Sequence, residues 1–92
     1  MSSYKIILSD EFIRITNKIE NEHPRIHESI LGASWRLSRS PKEGEILGPP
    51  LSDKYRVLVV GPPIKGFYRV WIYYKLEEDA NKIIFVDIIV PK

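Results

Sequence analysis

Arg69, Trp71, Tyr73 and Lys75 set two cations and two aromatic rings at alternating positions. In an extended strand that period puts all four side chains on one face, about 6.8 Å apart. Cations hold phosphates and aromatic rings stack on bases, so the row suits single-stranded nucleic acid. Arg56 on a second extended segment, Lys54 just before it and Lys92 past the last one enlarge the set. The same residues also read as an ordinary polar sheet face with cation–π pairs. Residue types alone do not choose between the two.

Other chemistries fit less well. Gly61 and Gly66 have the spacing of the two glycines of a phosphate-binding loop, but Phe67 and Tyr68 follow where that loop needs Lys and Ser or Thr before a helix. His23 and His27 are four apart, a helical metal-ligand spacing, yet His23 precedes Pro24 and falls outside a helix. Serine in a G-x-S-x-G turn is absent from the sequence. Glu77, Glu78 and Asp79 read as solvated turn charge. Asp87 sits inside an apolar strand, where a cross-strand ion pair with Arg69 is the structural expectation. No metal or other cofactor is expected.

The 92 residues contain no cysteine, which excludes a disulfide scaffold, a thiolate metal site and a cysteine nucleophile. The composition, 43% hydrophobic and 28% charged, is that of one globular domain spanning residues 1–92. No run is long and apolar enough to span a bilayer, and no secretory signal is visible, so a cytoplasmic protein without a membrane partner is expected. The net charge is only +2, but it is unevenly spread. Residues 1–35 carry −1, residues 36–75 carry +5 and residues 76–92 carry −2. The basic middle holds most of the candidate cations, as a surface for a polyanion would.

The elements that must position these residues follow from periodicity. Tyr4–Leu8 reads as a strand. Ser9 is a helix N-cap with two acids behind it, and Phe12, Ile15 and Ile19 form one helical face running to about Asn21. Pro24 suits the first position of a second helix, in which Ile26, Ile30, Ala33 and Leu37 form a stripe flanked by Leu31 and Trp35. The turn between the helices is short, so they form an antiparallel hairpin. Pro41–Lys54 has no periodicity and reads as a loop. Tyr55–Val60, Phe67–Leu76 and Lys82–Val90 read as strands of an antiparallel meander. Within the middle one, Tyr68, Val70, Ile72, Tyr74 and Leu76 face the helices, and Phe67, Arg69, Trp71, Tyr73 and Lys75 face solvent.

At this point the chain resembles the RelE/ParE toxins of toxin–antitoxin modules. The order β-α-α-β-β-β matches over essentially the whole chain. The segment from Leu37 through Pro41 to Leu47-Gly48 resembles the family's link between helix and sheet. Tyr55-Arg56-Val57 and Tyr68-Arg69-Val70 resemble its paired tyrosine-arginine-aliphatic strands, and Phe85–Lys92 resembles its last strand. The resemblance implies an α+β fold, a helical hairpin on one face of an antiparallel sheet, and a cognate antitoxin as partner. It implies a toxin that cuts mRNA on the ribosome without metal, the RNA 2′-hydroxyl attacking the adjacent phosphate. In that reaction Arg69 matches the phosphate-stabilising arginine, Arg56 anchors the backbone, and Lys92 neutralises the scissile region. Lys54, Trp71, Tyr73 and Lys75 would then bind RNA. Arginine at 56, where the family has a lysine, would position phosphate and not act as a base. Leu58 stands in place of a second family lysine, and the 92 residues hold no counterpart of the family's tail with its base-stacking tyrosine. Alternatives from the same fold are a ParE-like inhibitor of DNA gyrase and a toxin that only binds its antitoxin. A small RNA-binding module is a third.

Overall fold

The computed structural model describes residues 3–47, 55–61 and 69–91. Strand β1 (Lys5–Leu8) leads into helix α1 (Asp10–Glu20) through Ser9, whose hydroxyl accepts the Phe12 N–H at 3.1 Å. Asp10 and Glu11 in the first turn add favourable charge at the positive end of the helix. Phe12 and Thr16 are buried, and the Thr16 hydroxyl donates back to the Phe12 carbonyl at 2.8 Å.

Helix α2 (Ile26–Arg39) begins two residues later than Pro24 suggested. The Ile26 N–H bonds the His23 carbonyl and the Glu28 N–H bonds the Arg25 carbonyl, so residues 23–25 form a tight turn before the helix proper. The expected stripe of Ile26, Ile30, Ala33 and Leu37 is fully realised and buried. No helix among the described residues is long and apolar enough to cross a membrane.

The expected loop after α2 contains a strand. Glu45–Ile46 forms β2 and pairs antiparallel with β3 (Tyr55–Val60). Two residues are too few to show a period, so the sequence pattern could not mark them. Strands β3, β4 (Val70–Glu77) and β5 (Lys82–Ile89) form the antiparallel meander. Gly61 closes β3 with φ 76°, a left-handed conformation that suits glycine. Phe67 and Tyr68, expected at the start of β4, lie outside the described residues, and Arg69 sits just before the strand. Strand β1 joins the far edge parallel to β5, so the sheet is mixed, with order β1-β5-β4-β3-β2. Strand β2, reached after the two helices, runs opposite to β1, and the three reversals from β2 to β5 bring β5 back parallel to it.

Both helices lie on one face of this sheet. Val70, Ile72, Tyr74 and Leu76 of β4 point into the core with Ile83, Phe85 and Ile88 of β5 and Leu58 and Val60 of β3. The rings of Phe12 and Phe85 meet edge to face at 5.4 Å. The β4–β5 register shifts at Tyr73/Tyr74, so Val86 has no partner on β4. This bulge changes which face the rest of β5 presents. Ile83 and Phe85 face the core before it and Ile88 after it, while Asp87 comes out opposite Tyr73 on the other face.

Tyr74 ties the core to the segment after α2. Its hydroxyl donates to the Pro41 carbonyl at 2.8 Å and accepts the Gly44 N–H at 3.0 Å. The approach requires glycine at 44, since a Cβ there would lie 2.6 Å from that hydroxyl and 2.8 Å from the Val57 carbonyl oxygen. Burial raises the Tyr74 phenol above its usual range, with the Gly44 hydrogen bond opposing. Tyr74→Phe leaves two backbone groups without their partner and should cost about 1–3 kcal/mol in urea unfolding. A phenol raised on folding stabilises the protein at pH values below its unfolded pKa. Tyr74's contribution should therefore hold to about pH 10 and fall as pH rises through the higher folded value, the loss vanishing in Tyr74→Phe.

Candidate nucleic-acid interface

Among the described residues, one layer of helices leaves the opposite sheet face uncovered, and the strand registers define what it presents. Trp71 lies between Val59 and Ile89, Tyr73 between Val57 and Asp87, and Lys75 between Tyr55 and Ile84. Trp71, Val59 and Ile89 are 39%, 46% and 43% exposed. Arg69 is exposed at one end of the row, and Lys75, paired to Glu77 at 3.3 Å, stands at the other. Counted from Arg69, just before β4, to Lys75 the order is cation, indole, phenol, cation, over roughly 20 Å. Beyond it, Lys5 and Lys82 sit side by side on the β1–β5 pair.

The expected pair of Arg69 with Asp87 is not set up by the ladder. Asp87 lies opposite Tyr73, two same-face steps from Arg69, roughly 13 Å along the strand. Its carboxylate instead accepts the Ile88 N–H at 2.8 Å. The bulge sets Asp87 on the outward row opposite Tyr73, where without it the residue would stand opposite Ile72 on the core side, and alternation alone does not reveal it.

Arg56 is not on this face. It lies opposite Tyr74 and Ile46, on the helix-side row of β3, which corrects its expected grouping with Arg69, Trp71, Tyr73 and Lys75. Its Nη1 donates to the carbonyls of Gly44 at 2.9 Å and Lys42 at 3.2 Å. Its Nε is buried with no hydrogen-bond partner among the described residues. Arg56 therefore holds the same short segment that Tyr74 holds. It also lines a cleft of about 550 Å³ with Lys42, Ile46, Leu76 and residues 77–80. Lys42 and Glu78 pair across this cleft at 3.3 Å, and its other charges are mostly acidic. That lining is unsuited to a phosphate.

Lys54 and Lys92 lie outside the described residues. His23 lies in the turn between the helices and His27 on α2, where its Nε2 is 3.1 Å from a Glu20 carboxylate oxygen. Among the described residues no three His, Cys, Asp or Glu side chains gather in a cluster that could hold a metal. The structure thus brings together Arg69, Trp71, Tyr73 and Lys75 and adds Tyr55, Val57, Val59, Ile84 and Ile89 around them. These last five were not singled out from sequence. Once β3 and β5 are paired with β4, their positions on the outward row would have marked them.

Two helices on one face of a sheet built around an antiparallel meander is the architecture that the resemblance to RelE/ParE toxins implies, and the structure adds strand β2 and the parallel β1 edge to it. A chain of the crystal structure of the toxin–antitoxin complex RelBE2 from Mycobacterium tuberculosis has the same fold, with a TM-score of 0.74 and 19% sequence identity. The match covers 99% of this chain and 94% of that one. No family model and no curated protein matches the sequence.

The two arginines should separate in a stability measurement. Arg69→Ala, at an exposed position, should change unfolding free energy by less than about 0.5 kcal/mol. Arg56→Ala releases two carbonyls and should cost about 1–3 kcal/mol. Urea denaturation of both variants distinguishes the surface residue from the clamp.

Proposed function

We propose that the chain is the toxin of a toxin–antitoxin module, inhibited by a cognate antitoxin and acting in the cytoplasm. The observation that carries this reading is the whole-length likeness of fold to a chain of the RelBE2 toxin–antitoxin complex. The uncovered row of cations and aromatics gives such a protein a surface for its target. The finer proposal is a ribosome-dependent mRNA endonuclease. The 2′-hydroxyl of one nucleotide attacks the adjacent phosphorus, so the O2′–P bond forms as the P–O5′ bond breaks. The hydroxyl proton leaves to a base, and a proton returns to the departing O5′. Negative charge grows on the phosphate oxygens. Arg69 stabilises that charge, since a guanidinium keeps its proton and presents several donors at once. Trp71 and Tyr73 stack on neighbouring bases and hold the strand in line, with Lys75 on the backbone. Lys54 and Lys92 would add charge to the same strand.

A second reading has an observation in its favour. Arg56, implied as a backbone anchor, is occupied on the opposite face by the Lys42 and Gly44 carbonyls. This supports a non-nuclease member of the fold, which inhibits DNA gyrase or only binds its antitoxin.

Induction of the chain in bacteria should stop growth by blocking translation, with transcripts cut within codons. Arg69→Ala should slow cleavage by about 10²–10³-fold and restore growth. Growth arrest with DNA-damage signalling and intact transcripts would establish the gyrase reading instead, and harmless induction the antitoxin-only one. Binding of a short single-stranded RNA should weaken at least about fivefold in Trp71→Ala, followed by fluorescence anisotropy. Tight binding without cleavage would point to a simple RNA-binding module.

A further inference from the structure

The outer face of α2 carries two large, exposed apolar side chains that no other described element covers. Leu31 is 70% exposed and Trp35 is 59% exposed. At 3.6 residues per turn, Glu28, Leu31, Gly32, Trp35 and Arg39 fall within about 100° of one another, opposite the buried stripe. Gly32 lies mid-helix, where glycine is unfavourable. Nothing in the monomer requires it, since a Cβ there would meet no atom within 4 Å. It leaves a notch on the solvent side, beside an exposed indole.

The charges on this face have a direction. Glu28 stands at the N-terminal end and Arg39 at the C-terminal end, eleven residues apart. The Arg39 guanidinium lies 4.0 Å from the centre of the Trp35 ring, which holds it along the face. Glu28 pairs with Arg25 at 2.6 Å with both side chains about half exposed, so its carboxylate remains accessible. Such a face is complementary to itself when reversed. In an antiparallel pair with Glu28 of one copy level with Arg39 of the other, Gly32 of each falls level with Trp35 of the other. Each indole then enters the notch beside Leu31 and Gly32, and an acid meets a base at both ends. A two-fold interface requires this reciprocity.

We propose that the chain forms a two-fold dimer through α2, with Trp35 of each copy packed on Leu31 and Gly32 of the other and Glu28 paired to Arg39 at both ends. The occupant of this face is a second copy of the chain, because one helix supplies both halves of the charge pattern and both the knob and the notch. The surface is separate from the open sheet face, so dimerisation does not depend on the toxin reading.

Sedimentation equilibrium of the full chain over a concentration series tests it. The expected result is a monomer–dimer equilibrium that Trp35→Ala and Gly32→Gln each shift at least tenfold toward monomer. Gly32→Gln fills the notch where no atom of the same chain is near, so circular dichroism and melting temperature should hold. Glu28→Arg and Arg39→Glu alone should each weaken the dimer, and the double variant E28R/R39E should restore it. A chain that stays monomeric up to about 1 mM overturns the proposal. So does a dimer indifferent to Gly32→Gln, or charge reversals that do not compensate.

Discussion

A single layer of helices can cover only one face of a sheet, and strand β4 sits at the centre of that constraint. Its side chains alternate between faces. Val70, Ile72, Tyr74 and Leu76 are driven under the helices because burying them stabilises the fold, each by about 1.5–3 kcal/mol for a fully buried aliphatic side chain. The intervening row is then forced outward, whatever its chemistry. Arg69, Trp71, Tyr73 and Lys75 are presented together because their neighbours along the chain are buried. The open face and the core are two consequences of one alternation.

The positions of the charged residues depend on register in the flanking strands. On β3 the pairing with β4 places Arg56 on the helix-side row, half-buried, where its guanidinium bonds backbone carbonyls. It does so on the same short segment that the Tyr74 hydroxyl binds, and Gly44 allows both to approach. On β5 the unpaired Val86 turns Asp87 outward and keeps a carboxylate out of the core. Without that bulge the strand would continue Ile83, Phe85 and Asp87 along one row. The acid that results sits beside Tyr73 and divides the positive charge of the open face. Arg69 and Lys75 therefore act as separate poles at the two ends of an aromatic centre.

The outer face of α2 is built on different physics. Helix periodicity places Leu31 and Trp35 away from the sheet, and among the described residues no second helical layer covers them. Glycine at 32 forgoes helix stability at a position where the monomer has ample room for a side chain. A small residue kept beside exposed apolar groups is understandable when another surface must come close.

Most elements were legible from sequence. The Ser9 cap, the 26/30/33/37 stripe, the Tyr55–Val60 strand and the two rows of β4 are local patterns with periods of 3.6 or 2, and local patterns survive in one dimension. Their order, the helical hairpin and the meander followed from the same patterns and the short turns between them, and the resemblance to RelE/ParE toxins matched that order. The strand at Glu45–Ile46, the parallel pairing of β1, the inward turn of Arg56 and the outward turn of Asp87 were decided only in the tertiary structure. Each depends on which residue of a distant strand stands opposite, and a shift of one residue exchanges the faces. By itself the sequence determined that cations and aromatics alternate along one strand. Only the fold decided which of the basic residues share a surface with them, because hydrogen-bond register between strands is not encoded in the spacing within any one of them.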